Sequence, residues 1–144
     1  MELDDVMATE CTLPSLPRAV ALLTTELAQP EPSLRRINHL FLTDPALAAR
    51  LLREANSHSH PLSGKVGSIP EAIVMLDTAQ LRSFVAEAFL GTTAGSVPGM
   101  NLQHFWRYSI NTARLARSLA GIVHRNQTTA YTAGLLHGLG ELVL

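Results

Sequence analysis

Apolar positions recur at helical spacing along most of the chain. Leu16, Val20, Leu23 and Leu27 fall three and four residues apart, which places them on one face of a helix. Ser15 supplies a cap for it and Pro17 sits in its first turn. The "QPEP" run at 29–32 ends it. Ser33 predicts the start of a short second helix through Ile37, Leu40 and Phe41. "TDPALAARLLREANS" predicts a third, with Asp44 at the cap and Pro45 at the first helical position. Its buried stripe is Ala48, Leu51, Leu52 and Ala55, and Arg50, Arg53 and Glu54 face away.

The second half continues the pattern. "HSHPLSGKVG", residues 58–67, has the Pro and Gly punctuation of a loop. Ser68–Glu71, "SIPE", has the form of a capping box, and so does Asp77–Gln80, "DTAQ". Leu81, Phe84, Val85 and Ala88 line one side of the helix that follows. After the loop "GTTAGSVPG" comes the longest helix, about Leu102 to His124. Its stripe is Leu102, Phe105, Trp106, Ile110, Ala113, Ala116, Ala120 and Val123. Asn126 caps a last helix expected to run through Leu144. No alternating strand pattern exceeds a few residues. The expected fold is a compact all-α domain of about six to seven helices with no sheet. It occupies residues 13–144, behind an acidic lead-in at 1–12.

Composition narrows the class. The chain has 144 residues, 47% of them hydrophobic and 16% charged, which suits one globular domain with a real core. Aromatics make up only 5%, so Leu, Ala, Val and Ile must fill the interior. The net charge of −1 argues against a general nucleic-acid or membrane binder. The acidic start "MELDDV" is not a secretory signal, and no stretch reaches the roughly 20 apolar residues that span a bilayer. Cys11 is the single cysteine, so no internal disulfide forms. A cytoplasmic location is expected.

Several segments taken together resemble the HDOD family, bacterial signalling domains related to the HD phosphohydrolases. "LPSLPRAVALL" resembles its opening helix, and "LFLTDPALAARLLREANS" its most characteristic segment. "GKVGSIPEAIVML", "FWRYS" and "AGLLHGLGELVL" are similar to its later motifs. The resemblance runs from about Leu13 to Leu144. Domains of this family usually continue through several further helices, so the chain is expected to be the N-terminal part of such a domain, truncated on its C-terminal side.

The resemblance also implies where metal chemistry would sit. HD phosphohydrolases hold a metal with one histidine, a His-Asp doublet and a later aspartate. Divalent ions need several N and O ligands, and the bound ion then generates a nucleophile from water. Tyr108 stands at the first histidine position. His137 is retained in the doublet, but Gly138 replaces its aspartate. A neutral phenol is a poor ligand and a lone histidine cannot hold a catalytic ion. The expectation is therefore no catalytic residues, no metal and no cofactor, with His137 buried between helices and hydrogen-bonded, and Gly138 and Gly140 allowing a close helix approach.

Other candidates are weaker. His58 and His60 form a His-x-His pair that would need two more ligands, with His39, His104 and Glu54 as unplaced options. Cys11 has no base near it in sequence. Arg107, Arg114, Arg117 and Arg125 fall on one side of the long helix. They offer a phosphate or partner contact, set against the plainer reading of a solvated face. Lys65 is the only lysine, and no Gly-rich phosphate loop is present. Phe105 and Trp106 read as core anchors.

The expected function is a non-catalytic regulatory domain acting through protein–protein contacts. The alternatives are an HD-type phosphohydrolase on nucleotides or cyclic dinucleotides, and a nucleic-acid-associated regulator using the arginines. The final segment carries Leu135, Leu136, Leu139, Leu142, Val143 and Leu144. An uncovered patch of that kind drives association, so a homodimer through the C-terminal helix is expected.

Overall fold

The computed structural model of the chain describes residues 15–57, 65–90 and 98–142. Expectations placed on 1–12, Cys11, His58, His60, Val143 and Leu144 lie outside these residues. Among the described residues there are seven α-helices and no strand: α1 (Pro17–Leu27), α2 (Leu34–Phe41), α3 (Pro45–Ala55), α4 (Ile69–Met75), α5 (Thr78–Leu90), α6 (Leu102–Ile122) and α7 (Gln127–Leu136). A short 3₁₀ turn, Leu139–Leu142, follows. The fold is all-α, as the spacing of apolar residues implies.

Helix starts follow local chemistry. Ser33 Oγ accepts from Arg36 N–H at the head of α2. Asn101 Oδ1 accepts from His104 N–H, and Asn126 Oδ1 from the N–H groups of Thr128 and Thr129. Asp77 and Gln80 close a full capping box: each side chain accepts the other's backbone N–H, at 3.0 and 2.7 Å. Two expected caps differ. Leu16, not Ser15, is the N-cap of α1, and Ser68 makes no capping bond on α4. The Ile69 N–H is taken by Thr132 Oγ1 of α7, and Glu71 accepts from Gly67 N–H.

One core joins the elements. Val20, Leu23 and Leu27 of α1, Ile37 and Phe41 of α2, and Leu47 and Leu51 of α3 are fully or almost fully buried. Ile69, Leu81, Val85 and Leu135 close the same cluster. Phe41 and Phe84 meet within it at 6.1 Å. Arg50 was expected to face solvent. It is only partly exposed, because its guanidinium lies 5.8 Å over the Phe84 ring. Asn56 clamps Val66 from both sides, accepting its N–H and donating to its carbonyl, so the ends of the 58–64 segment are tied together.

The C-terminal region departs most from expectation. α6 stops at Ile122, and Val123 is exposed, not part of the buried stripe. His124 takes a positive φ of 54° there, which turns the chain into α7. α7 ends at Leu136, short of the expected run to Leu144, and His137 is its C-cap. Leu135 is buried, and Leu136, Leu139 and Leu142 are half-covered by the chain itself. The most exposed apolar side chains lie elsewhere, several of them on α6.

The closest helix approach is made by Gly134: a Cβ there would lie 2.8 Å from the Ala113 Cα. Of the two glycines expected to allow it, Gly138 lies against the Phe105 ring of α6, with a Cβ at 3.3 Å, whereas nothing lies within 4 Å of one on Gly140. α6 and α7 therefore pack backbone against backbone.

Candidate functional site

α6 and α7 bring Tyr108 and His137 together, with ring centroids 5.4 Å apart. These are two of the positions where the HD resemblance puts metal ligands. His137 is exposed, not buried as expected, because it caps the end of α7. Its Nδ1–H donates to the Gly134 carbonyl at 2.6 Å; a carbonyl only accepts, which fixes that tautomer. Tyr108 is exposed as well. Gly138 is buried, and a Cβ there would lie 3.3 Å from Phe105 Cε2. A side chain at 138 would need that ring to shift by a few tenths of an ångström.

The residues present do not fit a catalytic metal. The corner offers one imidazole with a nitrogen already engaged, one phenol and a glycine. Among the described residues no three His, Cys, Asp or Glu side chains converge, so His39, Glu54 and His104 are not gathered around any point.

A second polar centre lies deeper, and it was legible only as a helix cap. Asp44 is fully buried. Its Oδ1 accepts from the N–H groups of Ala46 and Leu47 at 3.0 and 3.1 Å, and its Oδ2 accepts from Leu16 N–H at 2.7 Å. The Trp106 indole approaches the same carboxyl, yet its Nε1–H closes no bond of ordinary geometry. Burial pushes the Asp44 carboxyl above the usual aspartate range, and the N–H donors oppose that shift. The arrangement ties the start of α1 to the start of α3, with the Trp106 indole of α6 beside it.

Arg107, Arg114 and Arg117 are all exposed on α6, while Arg125 falls past the helix end. Arg114 and Arg117 stand close enough to Tyr131 to favour its ionised form, but burial dominates and raises its pKa. The Tyr131 hydroxyl donates to the Leu42 carbonyl at 3.1 Å, tying α7 to the α2–α3 junction. Phe105 and Trp106 are core residues, packed edge to face.

One signal in the sequence adds to this face. From Ala88 to Gly140 there is no Asp or Glu, while four arginines occur. That segment carries +4 in a chain whose net charge is −1, so the remainder carries −5. Four of that remainder's twelve acidic residues, Glu2, Asp4, Asp5 and Glu10, lie outside the described residues.

The family model for the HDOD domain matches residues 13–144. This chain belongs to the HDOD family. Its HDOD domain is 28% identical over 123 residues to the cyclic di-GMP phosphodiesterase CdgJ of Vibrio cholerae, a match covering 84% of this chain and 28% of that protein. Two crystal structures of the MmoQ response regulator from Methylococcus capsulatus share its fold, with TM-scores of 0.79 and 0.81 at 25% and 26% identity. They cover 92% and 93% of the HDOD domain chain, and 52% and 55% of their own. The chain thus spans little over a quarter of CdgJ and about half of the MmoQ structures. Among the described residues no helix is long and apolar enough to cross a membrane.

Proposed function

We propose that this chain is a non-catalytic signal-transduction module that acts by binding a protein partner in the cytoplasm. The observation that carries the reading is the Tyr108–His137–Gly138 corner. It stands at positions where the resemblance puts a metal centre, with one imidazole, a phenol and no carboxylate at 138. The names of the relatives support a signalling role. The phosphodiesterase name belongs to a protein of which this chain matches 28%, so it does not assign that activity to the matched part.

The test is metal content and turnover together. The purified chain, incubated with manganese, iron or zinc and then desalted, is expected to retain no stoichiometric metal and to leave cyclic di-GMP intact. His137→Ala is expected to change stability by only about 0.5–1.5 kcal/mol, the range for one hydrogen bond. Retained metal with a hydrolysis rate abolished by His137→Ala in a folded protein would overturn the proposal in favour of an HD-type phosphohydrolase.

A further inference from the structure

α1 and α2 border a cavity of about 500 Å³. Leu22 of α1 lines one wall, and Arg35, Arg36, His39 and Leu40 of α2 line the other. Positions 35 and 39 are four residues apart, as are 36 and 40, and 36 and 39 are three apart. The four side chains therefore share one side of α2. The volume falls within the roughly 300–1,000 Å³ usual for small-molecule sites. Among the described residues that line the cavity there is no carboxylate.

One of the two arginines is held in place from within the domain. Glu26 of α1 is only 8% exposed. Its Oε1 accepts the Ser33 N–H at 2.9 Å, and its Oε2 stands 3.3 Å from Arg36 Nε. A carboxylate fixed by a backbone donor thus fixes the guanidinium in turn. That contact is made through Nε, and the terminal nitrogens of a guanidinium carry further N–H donors. Among the described residues Arg35 and His39 form no ion pair.

This donor set has a chemical preference. A guanidinium fork matches the edge of a phosphate group, and an imidazole N–H adds a donor beside it. An arginine already held in position gives up less side-chain freedom when it binds. Leu22 and Leu40 contribute nothing to an inorganic anion, which would leave much of the cavity empty. They suit a ligand that carries an apolar or ring portion next to its phosphate.

We infer that the α1–α2 cavity is a binding site for a small organic phosphate, with Arg35, Arg36 and His39 on the phosphoryl oxygens and Leu22 and Leu40 against the organic part. The site is distinct from the Tyr108–His137 corner, which α6 and α7 form. It goes beyond the partner-binding role proposed above and does not rest on it. Metal content and hydrolysis test that role, and ligand binding without turnover tests this site.

The probes are adenosine 5′-monophosphate and phenyl phosphate, compared with adenosine, phenol, benzoate and inorganic phosphate. Binding to the intact chain is read by calorimetry at low and raised salt. Each organic phosphate should bind at least tenfold tighter than its phosphate-free counterpart and severalfold tighter than inorganic phosphate, and should weaken as salt rises. Arg35→Gln and His39→Gln, both at exposed positions of α2 and checked for folding by circular dichroism, should each weaken the organic phosphates severalfold. Leu22→Ser should weaken them and leave inorganic phosphate unchanged. Arg53→Gln, on α3 and outside the cavity, should change neither. Saturable binding by neither organic phosphate, or binding that survives Arg35→Gln in a folded protein, would overturn the inference. So would benzoate binding as tightly as phenyl phosphate, which would make the cavity a general anion site. Duplex DNA that binds far more tightly than either probe, through the same residues, would give this face to a nucleic acid instead.

Discussion

The Asp44 carboxylate receives the backbone N–H of Leu16 at 2.7 Å, across 28 positions of sequence. The same side chain caps α3 through Ala46 and Leu47. One buried group therefore fixes where α1 begins and where α3 begins. Asp44→Ala should remove the cap, at about 0.5–2 kcal/mol, and strand the Leu16 donor, at about 1–3 kcal/mol. The expected total is about 1.5–5 kcal/mol in urea denaturation. A loss under about 1 kcal/mol would show that water replaces the carboxylate freely.

Asp44 also sets a pH dependence of unusual sign. Its folded pKa is raised, mainly by burial. The folded state therefore binds the Asp44 proton more tightly than the unfolded chain does. This group's contribution improves as pH falls through its folded pKa towards the ordinary value of 3.8, and is flat below that. Exposed carboxylates in ion pairs do the opposite. Stability measured from pH 7 down to pH 4 should show wild type gaining on Asp44→Asn as the solution is acidified. A gap that widens against wild type on acidification would mean that the three N–H donors outweigh desolvation.

Gly134 should tolerate no side chain. A Cβ there would meet the Ala113 Cα at 2.8 Å and the Thr112 carbonyl at 3.0 Å, and backbone cannot swing aside as a side chain can. Gly134→Ala should lower stability by about 1–3 kcal/mol or more through overpacking. Gly140→Ala meets open space and should stay within about 0.5 kcal/mol. Thermal melts of the two variants compare them directly.

The faces of α3 and α6 give a further contrast. Leu51 is fully buried, and Leu51→Ala should lose about 2–5 kcal/mol. Arg114 is exposed, and Arg114→Ala should lose less than about 0.5 kcal/mol. Arg50→Ala should fall between them, at about 0.5–1 kcal/mol, because its guanidinium rests on Phe84. Equal losses for Arg50 and Arg114 would show that the ring contact contributes nothing measurable.

What the sequence discloses and what it withholds divide along the range of each interaction. The Asp77–Gln80 box, the caps at Ser33, Asp44 and Asn126, and the stripe of Leu81, Phe84, Val85 and Ala88 depend on neighbours within one or two turns, and all form as the pattern implies. Ser68 has the right type and spacing for a cap yet makes no capping bond, and the Ile69 N–H beside it is held by Thr132, 63 positions away. No local rule could reveal that. Gly134 is unremarkable in the string "AGLLHGLG" until α6 lies against it. His137, expected between helices once a metal role was set aside, falls at a helix end, where side chains reach solvent. The acid-free run from Ala88 to Gly140 was readable throughout and was masked by summing over the whole chain.

α6 and α7 make the most extensive helix pair among the described elements, and only a short turn at Val123–Asn126 separates them. α1 finds its largest partner in α5, roughly fifty positions on. Closing a short loop sacrifices little chain entropy, whereas joining distant segments sacrifices more. The α6–α7 hairpin should therefore order first and wait for α1 to dock, with Asp44 completing the join at Leu16. Pulsed hydrogen exchange during refolding should show amides of Ala113 and Leu135 protected before those of Leu23 and Val85; the reverse order would make the N-terminal helices the nucleus. A domain assembled in that sequence exposes Arg107, Arg114 and Arg117 of α6 before Asp44 has met its Leu16 donor.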